Sequence, residues 1–300
     1  MILGLGRADR VSNATVIESR AWLRRAAVWI GLAGVATGSA GPAAAETRGF
    51  DFQVAWGNFT LAEARVQVSL LGERYSLRGS GQTEGLLGLF VDWEGRSQTD
   101  GIAANGRMRP LRHSHQGTWR GETRRTEVDW SAEGAPRVRN EPPPDETEVT
   151  PVPETSTLGT VDPFTVVLMV SDSLKKRGRC EARAKVWDGR RRYDLRVDHE
   201  GAEVLVADRP WSYAGRSVKC RLSIERIGGF RREAGAWKAK DDSGERAIWV
   251  ADIGGGTYAP VRAELETAFG TVVGRLRPVE AGQEPKEQAE LERASPTRRR

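Results

Sequence analysis

A two-residue rhythm that recurs along most of the chain limits the fold more than any other feature. Phe50, Phe52, Val54 and Trp56 alternate with Asp51, Gln53 and Ala55, and Val66, Val68 and Leu70 alternate with Arg65, Gln67 and Ser69. Successive side chains of a β-strand point to opposite faces, so this spacing makes strands with one apolar and one polar face. Gly57-Asn58, Leu71-Gly72 and Asn105-Gly106 interrupt the rhythm and supply tight turns. Residues 46–133 therefore read as an antiparallel meander. After Gly178 the rhythm returns, with a sharp turn at Asp188-Gly189. Pairing outward from a two-residue turn sets Val186 opposite Arg191, Ala184 opposite Tyr193, Ala182 opposite Leu195 and Cys180 opposite Val197. The same register faces Arg183 with Asp194 and Glu181 with Arg196. Further strands are predicted over residues 203–207, 217–227, 246–251, 261–267 and 271–277.

Residues 134–160 join the two halves and contain Pro136, Pro142, Pro143, Pro144, Pro151 and Pro153 among acidic residues and threonines. Such a composition reads as a linker or a long surface excursion. Next comes a capped segment. Asp162 stands at an N-cap position, Pro163 at the first helical position, Lys175, Lys176 and Arg177 in the last turn, and Gly178 just beyond. These signals predict one long helix, although Val166 and Val167 favour strand. Phe164 and the run from Val166 to Val170 are apolar on all sides, as for a helix buried by several neighbours. The expected fold is mainly β: a curved antiparallel sheet or open half-barrel wrapping one long helix, with residues 46–133 and 161–279 forming one continuous sheet domain.

The termini have other roles. Arg20, Arg24 and Arg25 precede an apolar run over residues 26–37, followed by small residues up to Ala43-Ala44-Ala45. That order is a secretory signal peptide, with cleavage expected after Ala45 and a periplasmic destination. The apolar run falls short of the roughly 20 residues that a spanning helix needs, so no transmembrane segment is expected after cleavage. Residues 280–300, polar and ending in Arg298-Arg299-Arg300, read as a disordered tail. At 38% hydrophobic and 29% charged residues, the chain is unlike collagen-like, wholly disordered or multi-span membrane proteins. Its net charge of +5 comes from 46 basic against 41 acidic residues. Residues 1–45 hold five arginines and two acids, which leaves +2 on the mature chain. An interspersed balance of this kind points to no nucleic-acid partner.

Candidate chemistry is sparse. Cys180 and Cys220 are an even pair in an exported chain, for which an intrachain disulfide between neighbouring strands is the expectation and two inert buried thiols the alternative. His113 and His115 share a strand face, but two ligands do not make a metal site, and the bland reading is a half-exposed strand. Gly79-Ser80-Gly81 lacks the spacing of a nucleophile elbow, and Gly254-Gly255-Gly256-Thr257 lacks the lysine of a phosphate loop. No catalytic residue, cofactor or metal is assigned. The Arg190-Arg191-Arg192 run reads as a solvated edge, with an anion site as the sharper alternative. The apolar run with Leu86, Leu87, Leu89 and Phe90 reads as a buried strand or as a flexible lip that touches a ligand.

Several of these residues resemble a known family. Asp162-Pro163, Cys180, the stretch from Val186 to Leu195, Cys220, Pro260-Val261-Arg262 and Phe269-Gly270, with Ala62-Glu63-Ala64 and Gly85, resemble the exported bacterial proteins called domain of unknown function 3108. The resemblance spans about residues 49–277 and implies a periplasmic β-protein without an assigned activity. Curved sheets that wrap a helix look like the lipid and lipoprotein carriers of the cell envelope. The expected function is therefore non-enzymatic: a binding or envelope-support protein whose sheet holds an apolar or amphiphilic component, such as a lipid or lipoprotein-like ligand. The alternative is a structural module that binds an envelope protein and no small ligand, and a glycan hydrolase is the third reading.

Overall fold

The computed structural model describes residues 46–85, 92–119, 121–130, 135–232, 245–268 and 270–278. The expected signal peptide, the C-terminal tail and the lip residues Leu86, Leu87, Leu89 and Phe90 lie outside the described residues. Thirteen strands are described: β1 (Glu46–Trp56), β2 (Phe59–Leu71), β3 (Arg74–Thr83), β4 (Trp93–Ala104), β5 (Arg107–Trp119), β6 (Glu122–Asp129), β7 (Arg137–Glu141), β8 (Ala182–Trp187), β9 (Arg192–Leu205), β10 (Gly215–Gly228), β11 (Arg246–Asp252), β12 (Tyr258–Thr267) and β13 (Gly270–Arg277). The helix α1 (Pro163–Arg177) stands between the two series.

All thirteen strands join in one sheet, in the order β7-β6-β5-β4-β3-β2-β1-β13-β12-β11-β10-β9-β8. Each neighbouring pair is antiparallel, and β1 joins β13 to make the two meanders continuous. Asn105 and Gly106 show how the sequence sets the turns, since both adopt left-handed φ (53° and 72°), as a two-residue hairpin requires. In the N-terminal meander the alternation sends Arg65, Arg78, Arg96 and Arg112 outward, where all four are exposed.

The sheet curls until its two ends meet. Gly189, in the turn between β8 and β9, accepts a hydrogen bond on its carbonyl from Asn140 Nδ2 (2.9 Å). Arg190 Nε donates to Thr126 Oγ1 (2.9 Å), and its Nη2 reaches the carbonyls of Arg125 (3.1 Å) and Pro142 (3.0 Å). A Cβ on Gly189 would sit 2.2 Å from Thr126 Cγ2, so this approach needs a glycine. Sheet and helix thus form the wrapped arrangement expected of the sequence.

At α1 the capping signals hold. Asp162 accepts hydrogen bonds from the backbone N–H groups of Phe164 (2.9 Å) and Thr165 (3.2 Å). Gly178 closes the helix in the left-handed conformation, donating to the Leu174 carbonyl (2.8 Å). Two cores form. One packs Val170 and Leu174 of α1 against Cys180, Ala182, Val197, Cys220 and Val250. The other gathers Phe50, Trp249, Val261 and Leu276 with Leu205 and Ala251.

Three expectations are corrected. The β8–β9 register pairs Val186 with Tyr193, Ala184 with Leu195 and Ala182 with Val197, two residues from the expected pairing. The reason is a wider turn: the Asp188 carboxylate accepts from the N–H groups of Arg190 (2.8 Å) and Arg191 (2.6 Å) and holds four residues in the bend. The expected charge pairs are lost, and Arg183 faces Arg196 while Lys185 faces Asp194. Second, Arg137–Glu141 of the Pro-rich stretch forms the edge strand β7, because backbone pairing with β6 needs no apolar face. The remainder is also anchored, with Thr150 bonded to Phe230 and Gly229 and, just past its end, Val161 bonded to Lys185 and Trp187. Third, the Cys180–Cys220 disulfide is present with Cα atoms 6.0 Å apart, but it does not join adjacent strands. Cys180 precedes β8 and Cys220 lies on β10, while β9 runs between β8 and β10 and pairs its His199 with Cys220 at a bulge.

Candidate functional site

The concave face of β3, β4, β5 and β6 is built in rows across the sheet. One row pairs Gly81 with Gly95, Gly95 with Gly117 and Gly117 with Arg124; the next pairs Gly79 with Ser97, Ser97 with His115 and His115 with Thr126. A third carries Leu77, Thr99, His113 and Val128. Glycines stand where an alternating strand would place large apolar groups, and their missing side chains make room. A Cβ on Gly79 would meet Phe164 Cζ at 2.6 Å, and one on Gly95 would meet Trp93 Cζ2 at 2.9 Å. Phe164 then packs its ring edge-on to His113, with centroids 6.3 Å apart.

Asp162 organises the deepest row. Its fully buried carboxylate accepts from Thr99 Oγ1 (2.7 Å) and from the Thr165 hydroxyl as well as from the helix N–H groups. The positive end of the helix and these hydroxyls replace the water that a buried carboxylate loses. Thr99 Oγ1 also meets His113 Nδ1 at 2.8 Å, and Tyr75 reaches Thr165 Oγ1 at 2.8 Å. Burial holds the His113 pKa below its ordinary value despite the nearby Asp162, and it pushes the Tyr75 hydroxyl well above the usual range. A Thr-His-Asp set of this kind has the membership of a catalytic triad. Its members are almost inaccessible, however, with His113 only 5% exposed, so the set fixes the helix to the sheet.

The histidine pair lies, as expected, on a half-exposed strand, and both rings point to its inner face, His113 buried and His115 partly buried. His115 Nδ1 takes Ser97 Oγ at 2.8 Å, and burial with help from His113, Arg190 and Arg191 lowers its pKa. No carboxylate orients its other nitrogen among the described residues, so this dyad lacks the third member of a hydrolytic set. No group of three or more potential metal ligands occurs among the described residues.

Two openings are found among the described residues, the second of them against this wall. One is an apolar crevice of about 200 Å³ between α1 and the C-terminal half-sheet, walled by Val166, Val167 and Val170 of the helix and by Tyr193, Leu195 and Val250 of the sheet. The Tyr193 hydroxyl has no hydrogen-bond partner among the described residues, and burial raises its pKa strongly. The other is a cleft of about 360 Å³ bounded by Trp93, His115, Gly117, Trp119, Arg124, Arg191 and Arg231. The arginine run is thus split among three environments. Arg190 ties the ends of the sheet together, and Arg192 is buried on Asp194 (2.6 Å) and the Ser156 carbonyl (2.7 Å). Arg190 and Arg192 thus correct the reading of the run as a solvated edge, which holds for the exposed Arg191 alone, and Arg191 borders the cleft.

Sequence reasoning missed Tyr75, Thr99, Trp93 and Arg124. The available signal was glycine at positions 79, 81, 95 and 117, each on the face that the rhythm reserves for core. The two cysteines are brought together, whereas the lip residues Leu86, Leu87, Leu89 and Phe90 lie outside the described part.

Among solved structures, the chain is similar to a beta-barrel-like protein of domain of unknown function DUF1849 from Brucella abortus. Identity is 11% over 77% of this chain and 94% of the other, with a TM-score of 0.42. No curated protein matches the chain. A family model described as "Protein of unknown function (DUF3108)" matches residues 51–277, nearly the whole described sheet and its helix. The chain belongs to that family.

Proposed function

We propose that the protein is a non-catalytic binding protein of the periplasm, exported and then cleaved after Ala45, whose curved sheet holds an apolar or amphiphilic component of the cell envelope. The observation that carries this reading is the crevice between α1 and β9–β12. Its lining is almost wholly hydrocarbon, and Val167, 41% exposed, stands at its opening. At about 200 Å³ it is narrower than the roughly 300–1,000 Å³ of sites for drug-sized ligands, which suits a single hydrocarbon chain. The outward arginines of the N-terminal meander support the reading as well, because a lipid-facing barrel carries its apolar residues outside.

Native mass spectrometry of protein purified from the periplasm tests the proposal, with Val167→Glu as the control. The expected spectrum shows a co-purifying lipid on the wild type and none on the variant, whose half-exposed position lets the fold persist. A wild-type spectrum with a protein partner and no lipid would replace the carrier with a structural module. A bare chain that also takes up no lipid from added vesicles would end the carrier reading.

A further inference from the structure

The second opening joins an excess of positive charge to flat aromatic walls. Arg191 has an exposed guanidinium without an acidic partner among the described residues. Among the described residues, the acidic contacts of Arg124 and Arg231 are long and solvent-exposed, to Glu122 at 3.9 Å and to Glu148 at 3.6 Å. Such pairs are weak, on the order of 0–1 kcal/mol, and yield readily to a better anion. Behind them the Arg190 guanidinium donates to neutral oxygens of Thr126, Arg125 and Pro142, with the Asp188 carboxylate as its acidic neighbour through the turn. No carboxylate borders the cleft among the described residues. Trp93 and Trp119 flank the arginines, and indoles suit a boundary with an apolar body on one side and water on the other.

The cleft and the crevice are also neighbours along the chain, at the turn before β9 and on β9 itself. Arg191 borders the cleft, while Tyr193, Leu195 and Val197 border the crevice. Tyr193, Leu195 and Val197, spaced by two, follow one face of β9 for about 13 Å at about 3.3 Å per residue, and Arg191 ends the turn that leads into that strand. A positive end therefore leads into an apolar one.

We propose that the cleft of Trp93, His115, Trp119, Arg124, Arg191 and Arg231 binds a phosphate group, that of an amphiphile whose chain enters the crevice between α1 and β9–β12. This rests on the carrier reading for the chain, but not for the phosphate. Guanidinium groups recognise phosphate through paired N–H donors, and three of them converging from β6, the β8–β9 turn and the segment after β10 make a site that no one segment supplies.

The test is titration of the wild type, Arg124→Gln/Arg191→Gln and Val167→Glu with three probes: inorganic phosphate, short-chain phosphatidate and a neutral diacylglycerol of the same chain length. Melting curves establish that each variant is folded. The double variant is expected to bind phosphatidate at least tenfold more weakly and to bind diacylglycerol as the wild type does. Val167→Glu is expected to lose both lipids. Raised salt should weaken phosphatidate binding to the wild type and leave diacylglycerol binding unchanged. Equal phosphatidate affinity in the wild type and the double variant would overturn the phosphate site and leave the carrier reading standing. Binding of inorganic phosphate lost in the double variant, with no gain from an attached chain, would keep the site as one for free phosphate and overturn the carrier. No binding of any probe would overturn both.

Discussion

The two half-sheets bury the same helix by different chemistry. Strands β3–β5 meet its first turn with Tyr75, Thr99, His113 and a glycine that admits Phe164, whereas β8–β11 meet its later turns with Ala182, Leu195, Val197, Leu222 and Val250. The difference follows from what each turn of the helix needs. First-turn N–H groups lack helical partners, so the residues around them are polar and directional, and each hydrogen bond depends on the next. Later turns have their backbone bonds satisfied internally and need only non-directional contact, which tolerates displacement. The cavity between helix and sheet lies on the apolar side, where a guest can replace contacts without leaving a donor unpaired.

If the polar half is the brittle one, its centre should show the largest effect. Asp162→Ala removes an N-cap, worth about 0.5–2 kcal/mol, and takes from the buried hydroxyls of Thr99 and Thr165 the acceptor of their protons, at about 1–3 kcal/mol each, leaving them only His113 and Tyr75. An overall loss of about 5 kcal/mol is expected by urea unfolding, and a loss below about 1 would erase the contrast between the halves. Across the helix, replacing Cys180 and Cys220 together by alanine should cost about 4 kcal/mol, since the bond closes a loop 40 residues in separation. Circular dichroism should stay unchanged, because the effect is mainly to free the unfolded chain. Two titratable thiols in unreduced native protein would contradict the bond itself.

A smaller effect separates the halves by pH. His113 is buried with a lowered pKa, so the unfolded chain binds more protons as pH drops below the ordinary histidine value near 6.5. Stability should hold above that value and decline below it, by at most about 1.4 kcal/mol per pH unit for this one group. Melting temperatures of the wild type and His113→Gln from pH 7.5 to 5 check the sign. The variant should start lower and vary less with pH, and an equal slope in both would show that His113 is not the group responsible.

Much of this was legible in the chain. The alternation from Phe50 to Leu70, Asn105-Gly106 and the caps of Asp162 and Gly178 each determine local geometry through neighbours in sequence, so strands, turn and helix appear where expected. The side of each residue at the β8–β9 hairpin was also legible. Its register was not, because Asp188 binds two backbone N–H groups in the turn and so moves the pairing by two, a shift that preserves facing. The candidate site was the least legible part. Arg124, Arg191 and Arg231 meet only because the ends of a thirteen-stranded sheet curl together, and no periodicity within one strand records that closure. Asp162 read as an ordinary cap for the same reason, since its partner Thr99 is 63 residues away.

The measurement closest to the centre of the carrier reading is a methyl-resolved NMR titration of the mature protein with short-chain phosphatidate. Methyls of Val166, Val167, Leu195 and Val250, which border the crevice, should shift together and saturate at one equivalent. Those of Leu77 and Val128, deep in the polar half, should stay fixed. Shifts confined to Leu77 and Val128, or none at the crevice under saturating ligand, would contradict the reading.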